Sequence, residues 1–254
     1  MTIKMKSRIL ILGCWAFIFT PAFPQFLTDT HESRSFIVRT SQMRPVAQCI
    51  SQRQLSKKLF TLRSHLSGEE LFRVKHSLVS IAKRSSDCRT QVIQALMTAM
   101  KQPGKDNGLG GVDSETYVLW NNGADVLGEL RATEALDLLI ANFGLTDGLS
   151  SSLGHYPALN PVITMGQLSV PKLQEVLSRN PESFRRKFAV FCLASIGGAR
   201  VKNILANAQS GEADPCVQKL INVSLEAFAN KIHPNHITPE ENGRWYSRVY
   251  CSSE

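Results

Sequence analysis

The residues able to do chemistry in this 254-residue chain are few and scattered, with six histidines and six cysteines among them. The single His-Glu pair, His31-Glu32, lies in a polar stretch with no periodicity. His233-Pro-Asn-His236 brings two imidazoles toward Cys251 in sequence, but the spacing is irregular for a metal site and both histidines fall just past a helix end. No Gly-x-Ser-x-Gly occurs, and no Ser/His/Asp set can be picked out. The glycine-rich run 103–113, PGKDNGLGGVD, lacks the Lys-Ser/Thr ending of a P-loop and follows no strand, so it reads as a flexible linker. The loop 145–160, LTDGLSSSLGHYPALN, is long for a helical protein, and long loops often carry function. His155 and Tyr156 are its candidate binding side chains. These residues imply no metal and no cofactor. The leading expectation is a non-enzymatic protein that binds another protein or acts as a scaffold. The alternative is an enzyme or cofactor carrier with its site at the 145–160 loop.

Cysteine placement speaks to the compartment. Residues 1–22 read as a secretory signal peptide: Lys4, Lys6 and Arg8 precede an apolar run from Ile9 to Phe19, and Thr20 and Ala22 suit cleavage after Ala22. Two alternatives stay open, a lipoprotein cut before Cys14 and an uncleaved anchor. The apolar run continuing through WAFIF counts against the first, and its short length against the second. Cleavage leaves five cysteines, an odd number. Cys49 and Cys88 stand near the starts of two helices separated by one helix, so an up-down-up arrangement brings them to the same end and allows a bridge. Cys216 opens the last helix, and Cys251 lies in a tail long enough to reach it. Cys192, between Phe191 and Leu193, reads as buried and free. The expected location is periplasmic or secreted, with no stable membrane span once the signal is removed.

Charge excludes one partner class. The formal charge is +8, from 29 Lys and Arg against 21 Asp and Glu. Removing Lys4, Lys6 and Arg8 leaves 26 against 21, or +5, with the signs interspersed. Nucleic-acid binding calls for a dense basic stripe, and none is visible. Arg185-Arg186-Lys187 is the densest cluster and reads as the solvated start of a helix.

The elements that must position these residues are helical. Residues 23–44 are a tether. A helical lead-in over 45–102 opens at Pro45. Val46, Ile50, Leu55, Leu59, Leu62 and Leu66 follow at loose helical spacing. Ser67 with Glu70 suits a capping box for the next helix, and Ser86 or Asp87 opens a third. The strongest unit is 113–144. Asp113 or Ser114 caps a helix carrying Tyr117, Trp120, Ala124 and Leu127 on one face. Gly123 there leaves room for a close neighbour. After a turn at Arg131-Ala132, Thr133 caps a second helix with Leu136, Leu139, Ile140 and Phe143, ended by Gly144. Asn160-Pro161, Asn180-Pro181 and Asp214-Pro215 each read as a cap followed by a first-turn proline. Asn222-Val-Ser224 is a glycosylation triplet placed inside an apolar helix, which argues against a glycan. Aromatics Trp245, Tyr246 and Tyr250 in the tail 233–254 read as cover for the open end of the array.

Superposing LGELRATEAL, MGQLSVPKL and LASIGGARVKNIL puts Leu130, Leu168 and Ile196 in one place. These turn-and-second-helix segments resemble HEAT repeats, in the short form also found in phycobilisome-lyase-like proteins. The likeness covers roughly 113–230, and 68–102 poorly. Repeat lengths are uneven, and the family's Asp-Pro at the turn is not present in every copy. The resemblance implies an all-α, right-handed α-α superhelix, a short HEAT-like solenoid over 113–232, whose second helices line a concave binding face. On that basis Glu134, Asp137, Lys172, Glu175, Lys202 and Asn203 point toward a protein partner. One related family places His-Glu metal ligands on successive repeats, and those ligands are missing here. Bilin-lyase chemistry finds no pocket signal either.

Overall fold

A computed structural model describes residues 49–64, 68–102, 104–105, 107–108, 110–149 and 155–230. The signal peptide, the tether, Pro45, Ser67, His233, His236, Cys251 and the aromatic tail lie outside the described residues. Within them the secondary structure is helical, with one isolated bridge at Val112.

The first three helices are α1 (Gln52–Arg63), α2 (Glu69–Ala82) and α3 (Ser86–Met100). Serine hydroxyls satisfy the free first-turn amides of α1 and α3. Ser51 and Gln54 form a reciprocal capping box on α1, so this helix begins well after Pro45. Ser85 accepts from the Cys88 amide at 3.2 Å. α2 instead starts beyond Gly68, whose φ of 77° is open to glycine, and it has no side-chain cap. The predicted bridge Cys49–Cys88 is present, with its Cα atoms 5.1 Å apart, and ties the approach to α1 to the first turn of α3. Cys192 is buried and free, and burial pushes its thiol far up. Cys216 is disulfide-bonded.

α4 (Ser114–Glu129) is the pivot. Its cap is Asp113, which accepts from the Thr116 amide at 3.0 Å. Trp120, Ala124 and Leu127 are buried, and α1, α2 and α3 all pack on this helix. Two glycines let neighbours close in. A Cβ on Gly123 would stand 3.1 Å from the Met100 sulfur of α3. On Gly128 it would stand 2.7 Å from Cα of Pro161. Buried Asn122 donates to the Leu62 carbonyl at 3.1 Å and so satisfies the end of α1. Arg89 does the same for α4, donating to the Leu130 carbonyl at 2.6 Å.

The remaining helices are α5 (Leu136–Ala141), α6 (Leu159–Met165), α7 (Val170–Arg179), α8 (Ser183–Ile196), α9 (Ala199–Gln209) and α10 (Pro215–Ala229). α4 packs on α6, α6 on α8, and α8 on α10, while α7 packs on α8 and α9. α4, α6, α8 and α10 thus form a run of helices each packed on the next of the four. Arg186 joins two of the connections. Its guanidinium grips Glu212 at 2.8 and 2.9 Å and donates to the Asn180 carbonyl at 2.8 Å. Only 15% of the Arg186 side chain and 6% of the Glu212 side chain are exposed, so Arg186 is not on a solvated face as expected.

Several local expectations give way. Thr133 does not cap: it opens a 3-10 turn, Thr133–Ala135, and α5 is only six residues long. Gly144 is not the left-handed residue. Among the described residues Arg131, with φ 49°, is the non-glycine in that region, and Gly144 instead admits the ring of Phe184. Asp214-Pro215 is a cap and first-turn proline, but the other two pairs are not. Pro161 sits inside α6, which starts at Leu159. Asn180 lies before α8, where its side chain accepts from the Glu182 amide at 2.9 Å. Leu130 is 7% exposed and Leu168 50%, while Ile196 is half-buried as the last residue of α8, so the three do not share surroundings. Helix-ending glycines give a better register: Met165-Gly166 and Ile196-Gly197 both end a helix with positive φ, at 62° and 71°.

Candidate functional site

Two places bring polar side chains together. The first is a groove of about 290 Å³ where α5, α7 and the start of α8 meet. Lys172 on α7 reaches Asp137 on α5 at 2.9 Å and Glu175 one turn along at 3.0 Å. Hydrogen bonds to Asp137 and then Glu175 raise the pKa of the Lys172 ammonium. Arg185 flanks the groove, bound to Glu182 at 3.1 Å and donating to the Ala141 carbonyl that ends α5 at 3.3 Å. Arg179, exposed in the last turn of α7, forms no ion pair with the described residues. Apolar Ile140 and Val176 form the floor.

Three of the six residues expected to face a partner therefore converge: Asp137, Lys172 and Glu175. Glu134 does not join them, because it faces Arg89 at 3.5 Å. Lys202 and Asn203 are exposed on α9, outside this groove. Arg179 and Arg185 complete the groove. Their signal in the sequence was position alone, since Arg179 lies one helical step beyond Glu175 on the same face. Exposed ion pairs of this kind contribute about 0–1 kcal/mol each. The charges are thus not what holds the helices together. The arrangement can pair with carboxylates and amides of another surface, and its described residues place no nucleophile next to a base.

The second place is built from the two connections expected to be loose. Asn107 donates to the carbonyls of Val112 at 3.1 Å and Asp147 at 2.7 Å. The Val112 amide donates to Thr146 at 3.0 Å. Gly111 lies so close to the second loop that a Cβ would come within 2.4 Å of the Gly148 nitrogen. The described part of 103–113 is therefore stitched to the 145–149 turn rather than hanging as a linker. That fixes Asp147, whose carboxylate meets Nδ1 of His155 at 3.0 and 3.1 Å. Burial works to raise the Asp147 carboxyl, but the Leu149 amide and His155 outweigh it and hold the group below its ordinary value. Tyr117 stacks on His155 with ring centroids 6.5 Å apart. Burial, then the Asp147 charge, push the Tyr117 phenol up. Tyr156 turns the other way and packs on Phe188, with centroids 4.9 Å apart. A carboxylate-oriented histidine is half of a general-base device. Among the described residues the His155 ring hydrogen-bonds only Asp147.

Among the described residues no helix is long and apolar enough to cross a membrane, and no three His, Cys, Asp or Glu side chains are grouped to hold a metal ion. Comparison of the chain with family models, curated proteins and solved structures finds no match.

Proposed function

We propose that this chain is an exported helical-repeat protein, a short HEAT-like solenoid that binds another protein through the second helices of its pairs. One observation carries the reading. Asp137, Lys172 and Glu175, with Arg179 and Arg185 beside them, form a mixed-charge groove across successive second helices, at a position where charge does little for stability. Electrostatic complementarity of this sort sets specificity and association rate. The Cys49–Cys88 bridge is compatible with an oxidising compartment and so with export.

The test is a paired co-purification from the envelope and medium fractions. Wild type is compared with Lys172→Glu/Arg179→Glu and with a charge reversal elsewhere, Lys219→Glu on α10. A protein retained by wild type and by the α10 variant, but lost by the α7 variant, supports the reading. Equal recovery by all three refutes it.

A second reading is an enzyme or cofactor carrier at the 145–160 loop. It is favoured by the fixed Asp147–His155 pair beneath Tyr117. Such a site would lose its activity on His155→Ala while keeping the fold, and the α7 variant would leave it intact.

A further inference from the structure

A larger groove, of about 620 Å³, runs between α1 and α3, and none of the charged residues discussed above lines it. Its shape is fixed at both ends. At one, the Cys49–Cys88 bridge joins the two helix starts, and Gln91 donates to the Ile50 carbonyl at 3.1 Å. At the other, Arg63 donates to the Gln102 side chain at 2.7 Å. A groove held this way need not be ordered on binding, which removes one cost of association.

Its lining has a consistent chemistry. Leu55, Leu59, Ala95 and Ala99 form the floor, and the two alanines, one helical turn apart, let a backbone come close. Above them stand uncharged polar side chains, Gln52 and Ser56 on α1 and Gln94 and Thr98 on α3. None of these four makes a side-chain hydrogen bond to the described residues. Phe60 rises beside them, 73% exposed. Among the described residues of the lining, Arg63 is the only charged one.

These features select an occupant. A primary amide offers both a donor and an acceptor. An extended chain presents that same pair, whereas a helix has used its backbone groups internally. Among the described lining residues there is no carboxylate, so a basic segment finds no counter-charge there. An acidic one finds a single cation among them, at the Arg63 end. From Gln52 to Arg63 the wall rises about 17 Å, the span of about five extended residues. The volume falls in the range of formed binding pockets, roughly 300–1,000 Å³.

We propose that the α1–α3 groove binds an extended, otherwise uncharged peptide segment of about five residues, with one carboxylate at the Arg63 end. The proposal does not depend on the α5–α7 groove.

The experiment is selection of random octapeptides displayed on phage against the exported, oxidised protein. Parallel selections use Ala95→Trp, which fills the floor, and Gln94→Ala, which removes one wall amide. Circular dichroism and melting check each fold. The expected peptides are uncharged apart from one Asp or Glu at an end. Their affinity falls at least tenfold on Ala95→Trp and about threefold on Gln94→Ala, and Arg63→Gln removes the acid preference. Should Ala95→Trp fail to fold, Gln94→Ala and Arg63→Gln carry the comparison alone. Three results would overturn the proposal: no peptide enriched over the groove variants; enriched peptides that are basic or form amphipathic helices; or a wild-type dimer in sedimentation that dissociates on groove substitution, which would make the groove an interface between copies.

Discussion

Replacing Gly128 by alanine probes the contact between α4 and α6. Gly128 lies in the last turn of α4, buried under Pro161 of α6. A Cβ there would sit 2.7 Å from Cα and 2.9 Å from Cβ of Pro161. Neither atom can rotate away, so α6 must retreat by about 0.7 Å to reach the 3.4 Å of ordinary contact. Overpacking of this kind costs about 1–3 kcal/mol, against which alanine's better helix propensity returns at most about 1 kcal/mol. With the middle of that range, about 2 kcal/mol, the expected net loss is about 1–2 kcal/mol. Gly123 supplies the contrast within the same helix. Its added methyl would meet the Met100 sulfur at 3.1 Å, the far part of an adaptable side chain. Gly123→Ala is therefore expected within about 0.5 kcal/mol of wild type, or slightly more stable. Urea unfolding followed by circular dichroism measures both, with the slope checked to be unchanged. A Gly128→Ala protein as stable as Gly123→Ala would mean that α4 and α6 do not meet as described, and the reasoning would fail.

Other predictions concern the staples. The Cys49–Cys88 bridge closes a separation of 39 residues, so removing it with Cys49→Ser/Cys88→Ser is expected to cost about 4 kcal/mol, read by urea unfolding. Peptide mapping of the non-reduced protein should recover Cys49 joined to Cys88, with Cys192 unalkylated until the chain unfolds. Arg186→Met leaves Glu212 without its bidentate partner in a nearly closed site. A loss of about 3–5 kcal/mol is expected, largely restored when Glu212 is replaced by leucine as well. Asp214 caps α10, and hydrogen bonds from Val217 first, against burial, lower its folded pKa. Its contribution is thus complete above the unfolded value of about 3.9 and is lost as pH falls through the lower folded value. The urea midpoint should therefore fall more steeply between about pH 4 and pH 2 in wild type than in Asp214→Asn.

How much of this was legible in the sequence depended on where each residue's partners lie. Asp113 and Asp214 were readable as caps because the amides that donate to them are two or three residues away. The Cys49–Cys88 bridge followed from counting helices. Asn160-Pro161 and Asn180-Pro181 carry the same local signal, yet tertiary packing overrode it. Pro161 is drawn into α6 against Gly128, and Asn180 spends its carbonyl on Arg186. Leu130 and Leu168 lack common surroundings because α4 ends at Glu129, two residues ahead of left-handed Arg131, whereas α6 ends at Met165, directly ahead of left-handed Gly166. At the site, the Lys172–Glu175 pair is a helical step and is visible in one dimension. Asp137 joins it only because α5 and α7 share one groove. The Asn107 stitching and the Asp147–His155 pair were invisible, since nothing in a glycine-rich run announces a partner 40 residues on.

Site-specific photo-crosslinking in living cells of the source organism tests the protein-binding reading most directly. A benzophenone amino acid is placed at Glu175, in the α5–α7 groove, and in a second strain at Lys219, exposed on α10. A discrete adduct with another protein from position 175, absent from position 219, is the predicted result. No adduct from either position, or the same adducts from both, would contradict a partner-binding role for this face.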